Sequence, residues 1–230
     1  MRVFAIADPH LSGAKPKPMD IFGPNWTGHP EVFFARWRDT VDDEDLVLVP
    51  GDISWAMTLD EAMVDLEAIA ALPGTKVLLR GNHDYWWPSI GKLRAALPTK
   101  MYALQNDALL IDDVVIAGTR GWTCPGSFEF TEQDEKIYSR ELERLKLSLE
   151  KARALKGKRF VVMLHYPPTN VRLEPSGFTE LIGEAQLDHL VFGHIHGETK
   201  LELPTIAGVD IHFVAADALN FVPKLLFELG

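Results

Sequence analysis

Residues 46–84 read LVLVPGDISWAMTLDEAMVDLEAIAALPGTKVLLRGNHD, and this stretch decides the fold. Leu46–Val49 and Lys76–Leu79 are nearly unbroken apolar runs, as in strands buried on both faces. Between them, Thr58-Leu59-Asp60-Glu61 has the spacing of a capping box, and Pro73-Gly74 ends the helix it starts. From Asp52 to Asn82 the chain is strand, helix and strand over 30 residues, the length of a right-handed βαβ crossover. Each strand runs into a glycine and then a polar group: Gly51-Asp52 and Gly81-Asn82-His83-Asp84.

Working outward, further strands are expected at Arg2–Ala7, Ala108–Ile111, Val114–Ala117, Arg159–Leu164, His189–Phe192, Ile211–Ala215 and Lys224–Glu228. Asp112-Asp113 reads as a tight hairpin turn. Helices are expected over Glu31–Thr40, from near Pro88 to before Pro98, from Thr131 to Lys156, and from Thr179 to Leu187. In the long helix Ile137, Leu142, Leu145, Leu149 and Ala152 form a core-facing stripe, and its charges read as a solvated face. The first half is therefore α/β; the second mixes a hairpin, a long helix and more strands. No repeat or low-complexity linker divides the chain, so residues 1–230 read as a single domain. Two loops, Ser12–Pro30 and Thr119–Gly126, read as functional lids or as packed surface excursions.

Composition narrows the function. The chain has 230 residues, 47% of them hydrophobic and 24% charged, an ordinary globular balance. Net charge is −10, which disfavours broad docking on nucleic acid but leaves phosphate esters open to a local cationic site. The one cysteine, Cys124, can form no intrachain disulfide and reads as a loop cysteine rather than a nucleophile. MRVFAIADPH reads as a first strand and not a signal peptide, and no apolar run approaches the roughly 20 residues of a membrane span. The expected location is the cytoplasm.

The polar residues cluster where apolar runs end. Asp8 and His10 follow VFAIA, Asp52 follows LVLVPG, Asn82 and His83 follow KVLLRG, His165 follows FVVML, and His194 and His196 follow HLVFG. Ligands of α/β sheets bind beyond the carboxyl ends of strands, so five runs deliver these groups to one rim. By strand alternation Asp8/His10 and His194/His196 each form a pair facing one way. Gly51, Gly81 and Gly193 let the backbone turn sharply as it leaves the sheet. Mixed oxygen and nitrogen ligands without thiolate suit Mn²⁺, Fe, Zn²⁺ or Ni²⁺ better than Ca²⁺. Two such cations about 3.5–4 Å apart would share a carboxylate and a hydroxide that attacks phosphorus in line.

DPH, GDIS, GNHD, LHYPP and GHIH, in that order over residues 8–196, resemble the calcineurin-like metallophosphoesterase superfamily. The resemblance implies two facing mixed sheets wrapped by helices, a four-layer sandwich. It implies that Asp8, His10, Asp52 and His196 bind one divalent ion, and that Asp52 bridges to a second completed by Asn82, His165 and His194. It further implies His83 as proton donor to the leaving group, with Asp84 as a partner that orients it. Asp84 also reads as a helix-capping carboxylate. The chain reads GDISWAM and GNHD where Ser/Thr protein phosphatases resemble G-D-x-V-D-R-G and G-N-H-E, which disfavours a protein phosphatase. His83 stands where lipid A pathway pyrophosphatases of this superfamily carry Arg, which disfavours that branch.

Other residues keep two readings. Tyr85-Trp86-Trp87 reads as a substrate wall or as core, Arg120 as a phosphate clamp or a surface ion pair, and Asn170 as a pocket residue. His29, His189 and His212 read as ordinary packed histidines. The expected function is two-metal hydrolysis of a small phosphomonoester or phosphodiester, a nucleotide included, with Mn²⁺ the first choice. The competing readings are a non-catalytic metal-binding scaffold for protein partners and a nuclease using the same site.

Overall fold

In the computed structural model, which describes residues 1–197 and 201–230, the predicted βαβ unit is present. Strand β2 (Leu46–Pro50) leads through helix α2 (Leu59–Ala70) to the parallel strand β3 (Thr75–Leu79). Thr58 caps α2, its hydroxyl accepting from the Glu61 N–H. Around this unit lie β1 (Arg2–Ala5), α1 (His29–Thr40), α3 (Ile90–Ala96), β4 (Met101–Leu104), β5 (Ala108–Ile111) and β6 (Val114–Thr119). Then come α4 (Glu132–Arg153), β7 (Arg159–Leu164), α5 (Gly177–Glu184), β8 (His189–Phe192), β9 (Asp210–Phe213) and β10 (Lys224–Glu228). No described helix is long and apolar enough to cross a membrane.

The strands form two five-stranded sheets, β10-β1-β2-β3-β4 and β5-β6-β7-β8-β9. Each has four parallel strands and one antiparallel edge, β10 in the first and β5 in the second. Alternate residues of the apolar runs serve different layers. Leu46 and Leu48 meet Ile116, Val161 and Met163 of the other sheet. Val47 and Val49 face Phe33, Trp37, Leu66 and Ile69 of α1 and α2. On the far side Val162, Leu164 and Leu190 pack on Leu145 and Leu149 of α4 and on Phe178 of α5. The result is helix, sheet, sheet, helix, the expected four-layer sandwich. The sheets are stitched beyond their strand ends, where Ala7 donates to the Val214 carbonyl at 2.7 Å and accepts from the Ala216 N–H at 2.9 Å.

Three expectations shift. The short strand β4, following Pro98, is too brief to stand out by pattern. The last helix starts earlier than Thr179 because Ser176 is its cap; Thr179 is the third helical residue and closes that capping box. On α4, Glu141 and Ser148 are buried, so its polar residues are not all on a solvated face. Ser148 donates to the Asp107 carbonyl at 2.5 Å and accepts from the Gly118 N–H at 2.7 Å, which satisfies it inside the fold.

Candidate active site

The five strand ends converge at the seam between the sheets. The chain leaves β1 and runs beside the segment after β2: Asp8 N–H donates to Gly51 O at 3.0 Å and His10 N–H to Asp52 O at 3.1 Å. The pairs Asp8/His10 and His194/His196 are not strand-alternation pairs, because each lies past its strand. Asp8, His10, Asp52 and His194 all have left-handed backbone, with φ of 59°, 45°, 50° and 72°. Such conformations cost about 1–3 kcal/mol each and collect at functional sites. They also redirect the side chains, so His194 and His196 serve different clusters.

The glycines have two distinct reasons. Gly51 does adopt positive φ, at 99°. Gly81 and Gly193 do not; a methyl on Gly81 would overlap the Asp52 carboxylate, and one on Gly193 the Asp8 carboxylate. They leave room for the ligands rather than turn the chain.

Two clusters result, Asp8–His10–His196 and Asp52–His165–His194, each with its ligand atoms within 4.8 Å of one another. Asp52 Oδ2 lies 3.5 Å from His165 Nε2 and 3.8 Å from His10 Nε2, so one carboxylate oxygen faces both. His165 Nδ1 is 3.0 Å from the Pro50 carbonyl, to which it donates. That turns Nε2 toward the Asn82 Oδ1 at 2.7 Å. His196 Nδ1 is 3.1 Å from Asp217 Oδ1, and Asp217 Oδ2 accepts from the Gly197 N–H. This is the outer hydrogen bond that metal-ligating histidines usually make.

The electrostatics fit a cation at each cluster. Asp8 is fully buried, and its Oδ1 has no hydrogen-bond partner among the described residues. An orphaned buried acceptor costs about 1–3 kcal/mol, more when charged. Burial pushes the Asp8 carboxyl up to about 7. Burial also pulls His10 and His194 down to about 3, leaving neutral imidazoles with free lone pairs. His10 Nε2 and His196 Nε2 are 3.1 Å apart. Burial would lower His165, but Asp52, Asp8 and the Pro50 carbonyl together outweigh it and raise the imidazole to about 9. The proton it holds lies where Nε2, Asn82 Oδ1 and Asp52 Oδ2 converge, and a divalent ion suits the same donors.

Around this centre the other predicted residues separate. His83 donates its N–H to Asp52 Oδ1 at 2.8 Å, and its ring lies against Trp55 with centroids 4.5 Å apart. Its Nδ1 is buried, and burial lowers its pKa. Asp84 does not orient His83. Its carboxylate accepts from the Ile53, Ser54 and Gly81 N–H groups and from Trp86 Nε1, which uses both oxygens and ties the two loops together. Trp86 and Trp87 are core, whereas Tyr85 is 54% exposed beside His83. Asn170 faces no pocket: its amide is consumed by Pro125 O, Glu174 and the backbone of residues 172 and 174. Arg120 reaches Glu141 on α4 at 3.4 Å and lies over the Trp122 ring. Cys124 is buried and its thiol is pushed up to about 11, an unreactive position. His29 braces the site, with Nε2 3.3 Å from the His10 carbonyl; His189 and His212 pair with each other.

Three contributions escaped the sequence reading. Trp55 stacks on His10 with centroids 4.9 Å apart. Met19, Phe22 and Trp26 of the Ser12–Pro30 loop join Trp55 to wall a cavity of ≈120 Å³ that opens on His10, His83 and His196. Asp217 also went unnoticed, although IHFVAA-Asp217 repeats the signal of an apolar run ending on an acid.

Comparison with known proteins agrees with this geometry. A family model described as calcineurin-like phosphoesterase matches residues 1–198. No curated protein matches the chain. Among solved structures, the phosphopantetheinyl hydrolase of Mycobacterium tuberculosis is similar, with TM-score 0.59 and 12% identity over 100% of this chain and 98% of that one. A protein of unknown function from Aquifex aeolicus has TM-score 0.47 and 16% identity over 97% of this chain and 95% of that one. At such identity the first likeness speaks for the fold alone.

Proposed function

The chain belongs to the calcineurin-like phosphoesterase family and is a metal-dependent phosphoesterase, and we propose that it hydrolyses a phosphomonoester or phosphodiester of a small organic molecule, nucleotides included. The observation that carries this reading is the convergence of two Asp–His–His clusters on the shared oxygen of Asp52. Asp8, His10 and His196 would hold one divalent ion and Asn82, His165 and His194 a second, with Asp52 serving both. Mixed oxygen and imidazole donors favour Mn²⁺, with Fe, Zn²⁺ or Ni²⁺ as competitors. When bound, such ions supply charge neutralisation at the phosphoryl group and a hydroxide nucleophile.

The chain's own residues do the rest. His83, with Nδ1 sealed and its ring held by Trp55, protonates the departing oxygen from Nε2. Trp55, Trp26, Met19 and Phe22 hold the organic part of the ester and keep water from it. Asp217 orients His196, and the Pro50 carbonyl orients His165. Residues 1–230 act as one metallophosphoesterase domain, and the single buried cysteine suits the reducing cytoplasm. The test is an assay of protein with quantified metal against p-nitrophenyl phosphate, its bis ester, nucleotides and phosphopantetheinyl esters, the last suggested by the structural neighbour. Hydrolysis that depends on the metal and is greatest with Mn²⁺ is expected. No turnover of any ester by protein carrying two ions would overturn the proposal.

A further inference from the structure

A second cavity, of ≈190 Å³, has a lining that is unusual for a chain of net charge −10. Arg80, Arg120, Arg140 and Arg144 face it, and Glu141 is the one acid among its lining residues. Glu141 is 0% exposed, and its carboxylate is already engaged: Oε1 accepts from Arg144 at 2.6 Å and Arg120 at 3.4 Å, Oε2 from Thr119 Oγ1 at 2.6 Å. The Nε atoms of Arg80 and Arg120 are buried without a partner among the described residues. One carboxylate cannot balance four guanidiniums, and a structural ion pair fixing α4 to the sheet would need one or two.

Two of the segments that line the cavity also carry or brace the reaction site. Arg80 is two residues before Asn82, so their Cα atoms are at most about 7.6 Å apart. The Arg120 carbonyl accepts from both His165 N–H and Tyr166 N–H, each at 3.0 Å. The volume is several times the roughly 30 Å³ of a water molecule. We propose that the substrate carries a second phosphate and that these four arginines hold it in this cavity while the scissile phosphate lies at the imidazoles. A dianionic phosphate offsets more of the excess charge than a carboxylate does, and its oxygens match the guanidinium fork. A bounded cavity on an acidic protein suits a small bisphosphate, not a nucleic-acid backbone. The apolar wall lies on the His10–His83 side and the arginines on the Asn82–His165 side, so the two ends of the substrate differ in chemistry.

This inference rests on the phosphoesterase reading, and the test separates the two. Metal-loaded protein is assayed with 5′-AMP and with adenosine 3′,5′-bisphosphate, and binding of inorganic phosphate to chelator-treated protein is measured by calorimetry. The wild type should prefer the bisphosphate at least tenfold in kcat/KM. Arg144→Gln should reduce that preference and weaken phosphate binding about tenfold. Arg140→Gln, at an exposed position that leaves folding intact, should act in the same direction. Phosphate binding that the variants lose, without hydrolysis of either nucleotide, would support the cavity and sink the phosphoesterase reading. Hydrolysis of both nucleotides at equal rates, with phosphate binding unaltered in both variants, would overturn the second-phosphate site and leave the phosphoesterase reading standing.

Discussion

The two Asp–His–His clusters have the same composition but are braced differently. In one, His196 is held by a side chain, Asp217, and His10 lies against Trp55. In the other, His165 is held by a backbone carbonyl, Pro50 O, and His194 lies on Tyr166 with centroids 3.9 Å apart. A carboxylate partner raises imidazole basicity more than a carbonyl does. It can also be removed by a point substitution, which a carbonyl cannot. The two clusters are therefore distinguishable by experiment although their ligands are the same.

One oxygen of Asp52 faces a histidine of each cluster, so Asp52→Asn should have the largest effect. We expect kcat/KM to fall by about 10³-fold or more and both metal equivalents to weaken in elemental analysis. Loss of one equivalent alone would show that the clusters do not share this carboxylate. His83→Asn belongs to neither cluster; kcat should fall about 10²–10⁴-fold with metal content unchanged. Asp217→Asn should weaken one equivalent by about 10–100-fold and spare the other, seen as a biphasic metal titration. Equal weakening of both would erase the distinction drawn here. Smallest is the effect of metal removal on stability. Ions at about 100 times their Kd add about 2.7 kcal/mol per site, which for a chain of this size is about 5–10 °C in melting temperature. Chelation should remove that increment twice over in the wild type and roughly once in Asp217→Asn.

Much of this was legible because the rule was simple: apolar runs ended on Asp, Asn or His side chains, in three cases just after a glycine. That signal located Asp8, His10, Asp52, Asn82, His165, His194 and His196 at one rim, and it would have found Asp217 had it been carried past His196. What it could not supply was direction. Asp8 and His10 share a cluster as expected, but the expected pairing failed for His194/His196, where a left-handed residue follows the end of the strand. Glu141 and Ser148 looked solvated because, Arg144 apart, their partners, Thr119, Arg120, Gly118 and Asp107, come from segments at least 20 residues away. Asp84 looked catalytic because it follows His83, yet two of its four N–H donors come from the loop after β2 and two from its own loop. Contacts set by tertiary closure leave no local pattern to read.

The stitch of Ala7 to Val214 and Ala216 has a consequence for the birth of the protein. Ala7 leaves the ribosome about 200 residues ahead of its partners, Val214 and Ala216. Asp8 follows one end of this closure directly and Asp217 the other, so the cluster they brace requires almost the whole chain. Contacts of such sequence separation form late, after the local βαβ units. A nascent chain can thus expose Asp8 and His10 without a completed site until the segment that carries Val214, Ala216 and Asp217 has been made.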